Sequence, residues 1–193
     1  MADLIFRNPR FDALRNALYH TERKTFLDLI NRTLNLVVIL LGAGVAGKAA
    51  KLIHVEENWL ELGVVFFATV QLVFDLGGRA RDHQFLQRRY YDLLSEMENE
   101  NLDDDDAMRK WSAKLITISA DEPMPMRALD AIAYNKALGA TFGDDPEILR
   151  RHRQQVSFLQ RRLRHLFGFH SASFPLESEH VSLRRRLRKK KQA

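Results

Sequence analysis

Apolar residues are segregated along this chain. Over 34–53 and 59–76 they run almost without interruption, whereas elsewhere they recur at helical spacing between polar positions. Each run is about 18 to 20 residues long, which at about 1.5 Å per residue matches the hydrocarbon core of a bilayer. Only His54, Val55, Glu56, Glu57 and Asn58 separate them, so the two form a hairpin. Beyond Gly77-Gly78, Leu86, Tyr90, Leu93, Leu94 and Met97 make a stripe at i, i+4, i+7, i+8 and i+11, which carries the second run onward as a long helix. Met108, Trp111, Leu115 and Ile118 make another stripe, and the run Asp103 to Asp106 before it reads as a helix N-terminus, with negative charge against the positive end of the dipole, rather than as a carboxylate metal cluster. After Asp121-Glu122-Pro123-Met124-Pro125 breaks the chain, a helix is predicted over 126–140. Asp145-Pro146 then supplies an N-cap and a proline at N1 for a helix ending near Gly168. The predicted fold is all-α: a helical segment 1–33, a two-helix transmembrane hairpin 34–78, a cytoplasmic helical bundle 79–168 and a basic, disordered tail 169–193.

Within the first run, Gly42-Ala43-Gly44-Val45-Ala46-Gly47-Lys48 also matches two nucleotide motifs. A dinucleotide fold needs a further acidic residue at the end of the next strand. Glu61 instead opens the next apolar run, and no alternation of short strands with helices follows. A phosphate-binding loop needs a Ser or Thr after the lysine to hold magnesium, and Ala49 stands there. The membrane reading uses the same residues without leftovers.

Charge gives the hairpin a direction. Arg15, Arg23, Lys24 and Arg32 precede it and Arg79, Arg81, Arg88 and Arg89 follow it, whereas the link carries no Lys or Arg. The positive-inside rule places both termini in the cytoplasm of a bacterial inner membrane. Lys48 and Lys51 snorkel outward from the end of the first span, and Trp59 suits an aromatic anchor. Arginines interrupt the first residues, so no signal-peptide core is expected. The chain has no cysteine, hence no disulfide framework and no thiolate metal site. The alternative is a soluble helical adaptor, or a degenerate nucleotide-binding protein, in which the hairpin is buried.

Both spans are two-faced. At 100° per residue, Glu61, Ala68, Gln71 and Asp75 share one arc of the second span, and Gly63, Phe66, Phe67, Val70 and Phe74 lie opposite. In the first span Asn35, Gly42, Ala46 and Ala49 share a stripe, extended by Asn31. Small and polar faces avoid lipid. Asn35, Gly42, Ala46, Glu61, Ala68, Gln71 and Asp75 are therefore candidates either to line a path through a homo-oligomer or to join the helices of the hairpin.

The net charge of +5 and a pI near 9.6 come largely from two basic regions. In the first, Val156, Leu159, Leu163, Leu166 and Phe167 alternate with Arg151, Arg153, Arg161, Arg162 and Arg164. That suits a helix on an anionic leaflet or against a neighbouring subunit, with Arg161, Arg162, Arg164 and Phe167 as membrane-surface candidates. The second, 184–191, reads first as a solvated tail, then as a lipid contact. Nucleic acid comes third, because no aromatic platform accompanies it. No nucleophile, base and acid arrangement and no zinc-type histidine spacing stands out, so neither an enzyme nor a cofactor is expected.

The succession of two spans, Arg81-Asp82-His83-Gln84-Phe85-Leu86, Arg89-Tyr90-Tyr91-Asp92-Leu93-Leu94, Asp121-Glu122-Pro123, and Arg127-Ala128-Leu129-Asp130 with Asn135 resembles the SLATT family of two-transmembrane effector domains. The resemblance covers roughly residues 9–168. It implies a membrane-perturbing or pore-forming effector of bacterial conflict systems, triggered by a separate protein that makes or senses a signal, in defence against phage. It brings no catalytic residues. Its Asp-Glu-Pro and Arg-Ala-Leu-Asp positions are expected to lock the cytoplasmic helices together.

Overall fold

The computed structural model describes residues 8–46, 57–98 and 105–178, and among them the protein is all-α. Helix α1 spans Pro9–Ala46, α2 Glu57–Phe74 and α3 Leu76–Glu98. They are followed by α4 Asp105–Ser119, α5 Arg127–Phe142, α6 Pro146–His152 and α7 Phe158–Leu163. Asn8 caps α1: its Oδ1 accepts from the Arg10 amide at 2.9 Å, and Pro9, which has no amide to satisfy, takes the first helical position. From there α1 runs 38 residues without a break.

The chain divides into two compact units. One joins Met1–Thr21 to Phe85–Ala193, and the other is Glu22–Gln84. In the first unit Ala13 and Ala17 of α1 pack with Leu86, Tyr90, Leu93 and Met97 of α3 and with Trp111 and Ile118 of α4. The two alanines are what let the helices close around the Trp111 and Tyr90 rings, which are 1% and 0% exposed. On another side of α1, Phe11 meets Ala137 and Leu138 of α5, and Tyr19 meets Leu129 and Ala133. The predicted stripes at 86–97 and 108–118 are thus the inner faces of α3 and α4.

Three local expectations change. The helix carried onward from the second span is interrupted at Asp75, whose φ of 39° is left-handed. The Asp75 carboxylate accepts from the Gly78 amide at 3.0 Å and opens α3 as a cap. A Cβ at Gly78 would overlap that carboxylate. The helix after Asp145 begins as expected, with the Asp145 side chain accepting from Glu147 and Ile148, but ends at His152 rather than near Gly168. Residues 153–157 are instead extended, with Gln154 bridged to Leu176. Asn135 of α5 holds that stretch by donating to the Gln154 carbonyl and accepting from its amide, both at 2.8 Å. Finally, 169–178 is not free tail: Gln155 donates to Pro175 and Glu177 donates to Arg153. The basic run 184–191 lies outside the described residues, as do Lys48 and Lys51.

Candidate functional site

The hairpin unit is held by a seam of small and amide side chains. A Cβ at Gly44 would stand 3.3 Å from Leu60 Cδ1, and one at Gly63 would stand 3.1 Å from Leu41 Cδ1. These glycines are therefore where leucines of the opposite helix seat. Further along, Gln71 Nε2 donates to Asn35 Oδ1 at 2.9 Å and to the Asn31 carbonyl at 3.3 Å. Residue numbers rise along α1 as they fall along α2, so the two helices run antiparallel. Loss of the Asn35 side chain would leave Gln71 only the longer bond to the Asn31 carbonyl.

This seam divides the predicted arcs. Asn35 and Gln71 bond to each other inside the hairpin. Gly42, expected at a close contact, has nothing within 4 Å of the position of a Cβ. Gly63, expected on the lipid side with Phe66 and Phe74, packs on Leu41 instead. Glu61, Ala68 and Asp75 lie on the exposed side of α2, where Glu61, Val65, Ala68, Leu72 and Asp75 follow one another at spacings of four and three. The backbone of Ala46 closes α1. The wheel missed the seam because it places residues on a face and says nothing of which face meets another helix.

The remaining surface of the hairpin is apolar and open. Leu72 is 82% exposed, Ile39 66% and Phe66 59%. Two helical stretches are long and apolar enough to cross a membrane, and in the most apolar window of each only 6% is buried within the chain. Trp59, the expected anchor, is likewise exposed.

In the other unit, the motif residues form ties between helices. Arg89 of α3 donates to the Asp121 carboxylate. Tyr90 donates to Glu122 Oε1, which also meets His20 Nε2 of α1 at 3.1 Å. The His20 ring stacks on that of Tyr90, with centroids 5.7 Å apart. Burial raises the Tyr90 phenol above its ordinary value, and the hydrogen bond to Glu122 adds to the rise. Asp130 of α5 takes both arms of Arg15, one at 2.8 Å. Burial acts to lower the Arg15 pKa, but the hydrogen bond to Asp130 together with the negative charges of Asp130 and Asp12 and the nearby Tyr134 outweighs it, and the net shift is upward. Tyr19 Oη accepts from the Met126 amide at 3.0 Å, fixing the entry to α5. Arg15 and His20 were not legible as partners, since each bonds more than a hundred positions away.

Of the membrane-surface candidates, Arg161, Arg162 and Phe167 are exposed, and Arg164 is half-buried, donating to the Arg161 carbonyl and to His165. No protein-family model matches the chain, and no curated protein and no solved structure matches it.

Proposed function

We propose that the chain is a membrane effector: a hairpin spanning the bacterial inner membrane, assembled into homo-oligomers that open a pore or otherwise breach the bilayer when a separate protein triggers them. The observation that carries this reading is the bare apolar surface of the hairpin, with side chains such as Leu72 and Phe66 turned outward. A buried hairpin in a soluble adaptor would need that surface covered, and the chain covers little of it. One-sidedness has independent support. Residues on both flanks of the hairpin, Ala17 before it and Leu86 after it, belong to one core, so both flanks lie on the same side of any membrane.

The stripe Glu61, Val65, Ala68, Leu72 and Asp75 is the surface suited to meet other copies. Its spacing of four and three is that of a helix seam, and its two carboxylates avoid lipid by facing protein or water. Asn35 and Gln71 serve as internal ties in this arrangement. The resemblance to SLATT effectors supplies the setting, defence against phage, and the protein acts without catalysis or cofactor.

Membrane fractions washed with carbonate test the first step: the protein should stay in the pellet, and its release would sink the membrane reading. For the second step, Ala68→Phe places a ring in the middle of the stripe. It should reduce oligomer size and dye entry in expressing cells, whereas Phe66→Leu should change neither. Unaltered oligomers and leakage in Ala68→Phe would show that the stripe is not the contact between copies.

A further inference from the structure

The helical turn at the end of the basic segment is inside out. The Leu166 and Phe167 amides both donate to the Leu163 carbonyl, at 3.0 and 3.1 Å, so the winding of α7 continues to Phe167. Along it the large apolar side chains point to solvent: Phe158 is 75% exposed, Leu159 62%, Leu166 59% and Phe167 57%. The side turned inward carries His165, which is buried. Leu159 and Leu166 stand about 20° apart around the helix, with Phe158 and Phe167 flanking them. The register is set at the start by a reciprocal cap, in which Ser157 accepts from the Gln160 amide and the Gln160 side chain accepts from the Ser157 amide.

Charge accompanies the apolar face. Arg162 is exposed within this arc, its guanidinium 5.6 Å from the centre of the Phe158 ring, and Arg161 is exposed on the far side of the helix. Between Glu147 and Glu177 the sequence has arginines and no carboxylate. We infer that this surface docks on an anionic lipid leaflet, with Leu159, Leu166, Phe158 and Phe167 entering the acyl boundary and Arg162 meeting headgroup phosphates. A second copy is the poorer occupant, because a twofold contact would set this arginine cluster against its own image. The inference rests on the membrane reading of the hairpin, which would keep this unit beside a bilayer.

The absence of cysteine makes a direct test available, since one introduced thiol labels one position. An environment-sensitive fluorophore is attached at Leu166→Cys or, separately, at Phe66→Cys in the full chain. Each labelled protein is reconstituted in nanodiscs of phosphatidylcholine alone or with added phosphatidylglycerol. The Phe66 probe should report acyl chains in both. The Leu166 probe should shift to the blue and be quenched by spin-labelled lipid only in the anionic discs. Arg162→Gln should lower the ratio of docked to undocked forms roughly fivefold, the contribution of one arginine near an anionic surface. A Phe66 probe in water overturns the membrane reading. A Phe66 probe in lipid with a Leu166 probe in water in both discs overturns the docking surface alone. A Leu166 shift that follows protein concentration in neutral detergent assigns the face to a second copy and overturns the lipid inference.

Discussion

One carboxylate oxygen, Oε1 of Glu122, is shared by the Tyr90 hydroxyl and the His20 ring, and so ties α1 and α3 to the loop after α4. Glu122→Ala should cost about 1–3 kcal/mol for the buried partner groups it leaves behind, whereas Glu122→Gln keeps an acceptor and should cost less. Thermal unfolding followed by near-ultraviolet circular dichroism checks the order. Equal melting of both variants and the parent would show that the tie carries no stability. Tyr90 adds a pH signature. Its folded pKa is raised above the ordinary 10.0 by burial and by Glu122, so the neutral phenol favours the folded state. That contribution is fully present below about pH 10 and fades as pH rises from there toward the folded value. Tyr90→Phe should therefore lose stability at neutral pH and show a shallower decline above pH 10. A parallel decline in both proteins would contradict this.

At the scale of helices, sequence periodicity locates α5 to within two residues and picks out the inner face of α4, because their apolar stripes coincide with buried faces and acidic residues or prolines mark their starts. Two features escape it. Asp75 breaks the path with one left-handed residue, and a one-residue break barely disturbs the apolar pattern on either side. The end of α6 is dictated by Asn135, a partner nineteen positions away that imitates a strand edge for Gln154. In the hairpin, composition identifies the two apolar helices, but only three-dimensional contact separates Gly63 from Gly42. Gly63→Val should push Leu41 aside and part the helices, whereas Gly42→Ala should leave the seam intact and gain up to about 1 kcal/mol in helix propensity. Spin labels at Val38 and Val64 report the separation. Closer or unchanged helices in Gly63→Val would show that the glycine is not the seat for Leu41.

For the molecule as a whole, the bundle's core is drawn from both flanks of the hairpin: Ala13 and Ala17 come before it, and Leu86, Tyr90 and Trp111 after it. Proposed as a membrane protein, the chain then tolerates two crossings but not one. Deleting 57–74 should leave residues 9–21 and 85–178 on opposite sides of the bilayer, and the bundle should be cut readily by added protease. Parent-like resistance in the deletion would mean that the flanks do not need each other, or that the hairpin does not cross.

The same shared core has a consequence for synthesis. Ala13 and Ala17 leave the ribosome early, but their partners up to Met97 and Trp111 follow only after the entire apolar hairpin has been made. At about 5–20 residues per second the delay is on the order of ten seconds. During that interval Phe11 and Tyr19 lack the α5 surfaces that later cover them. On the membrane reading proposed above, insertion of the hairpin comes first in time, and closure of the bundle behind it would fix the inserted state.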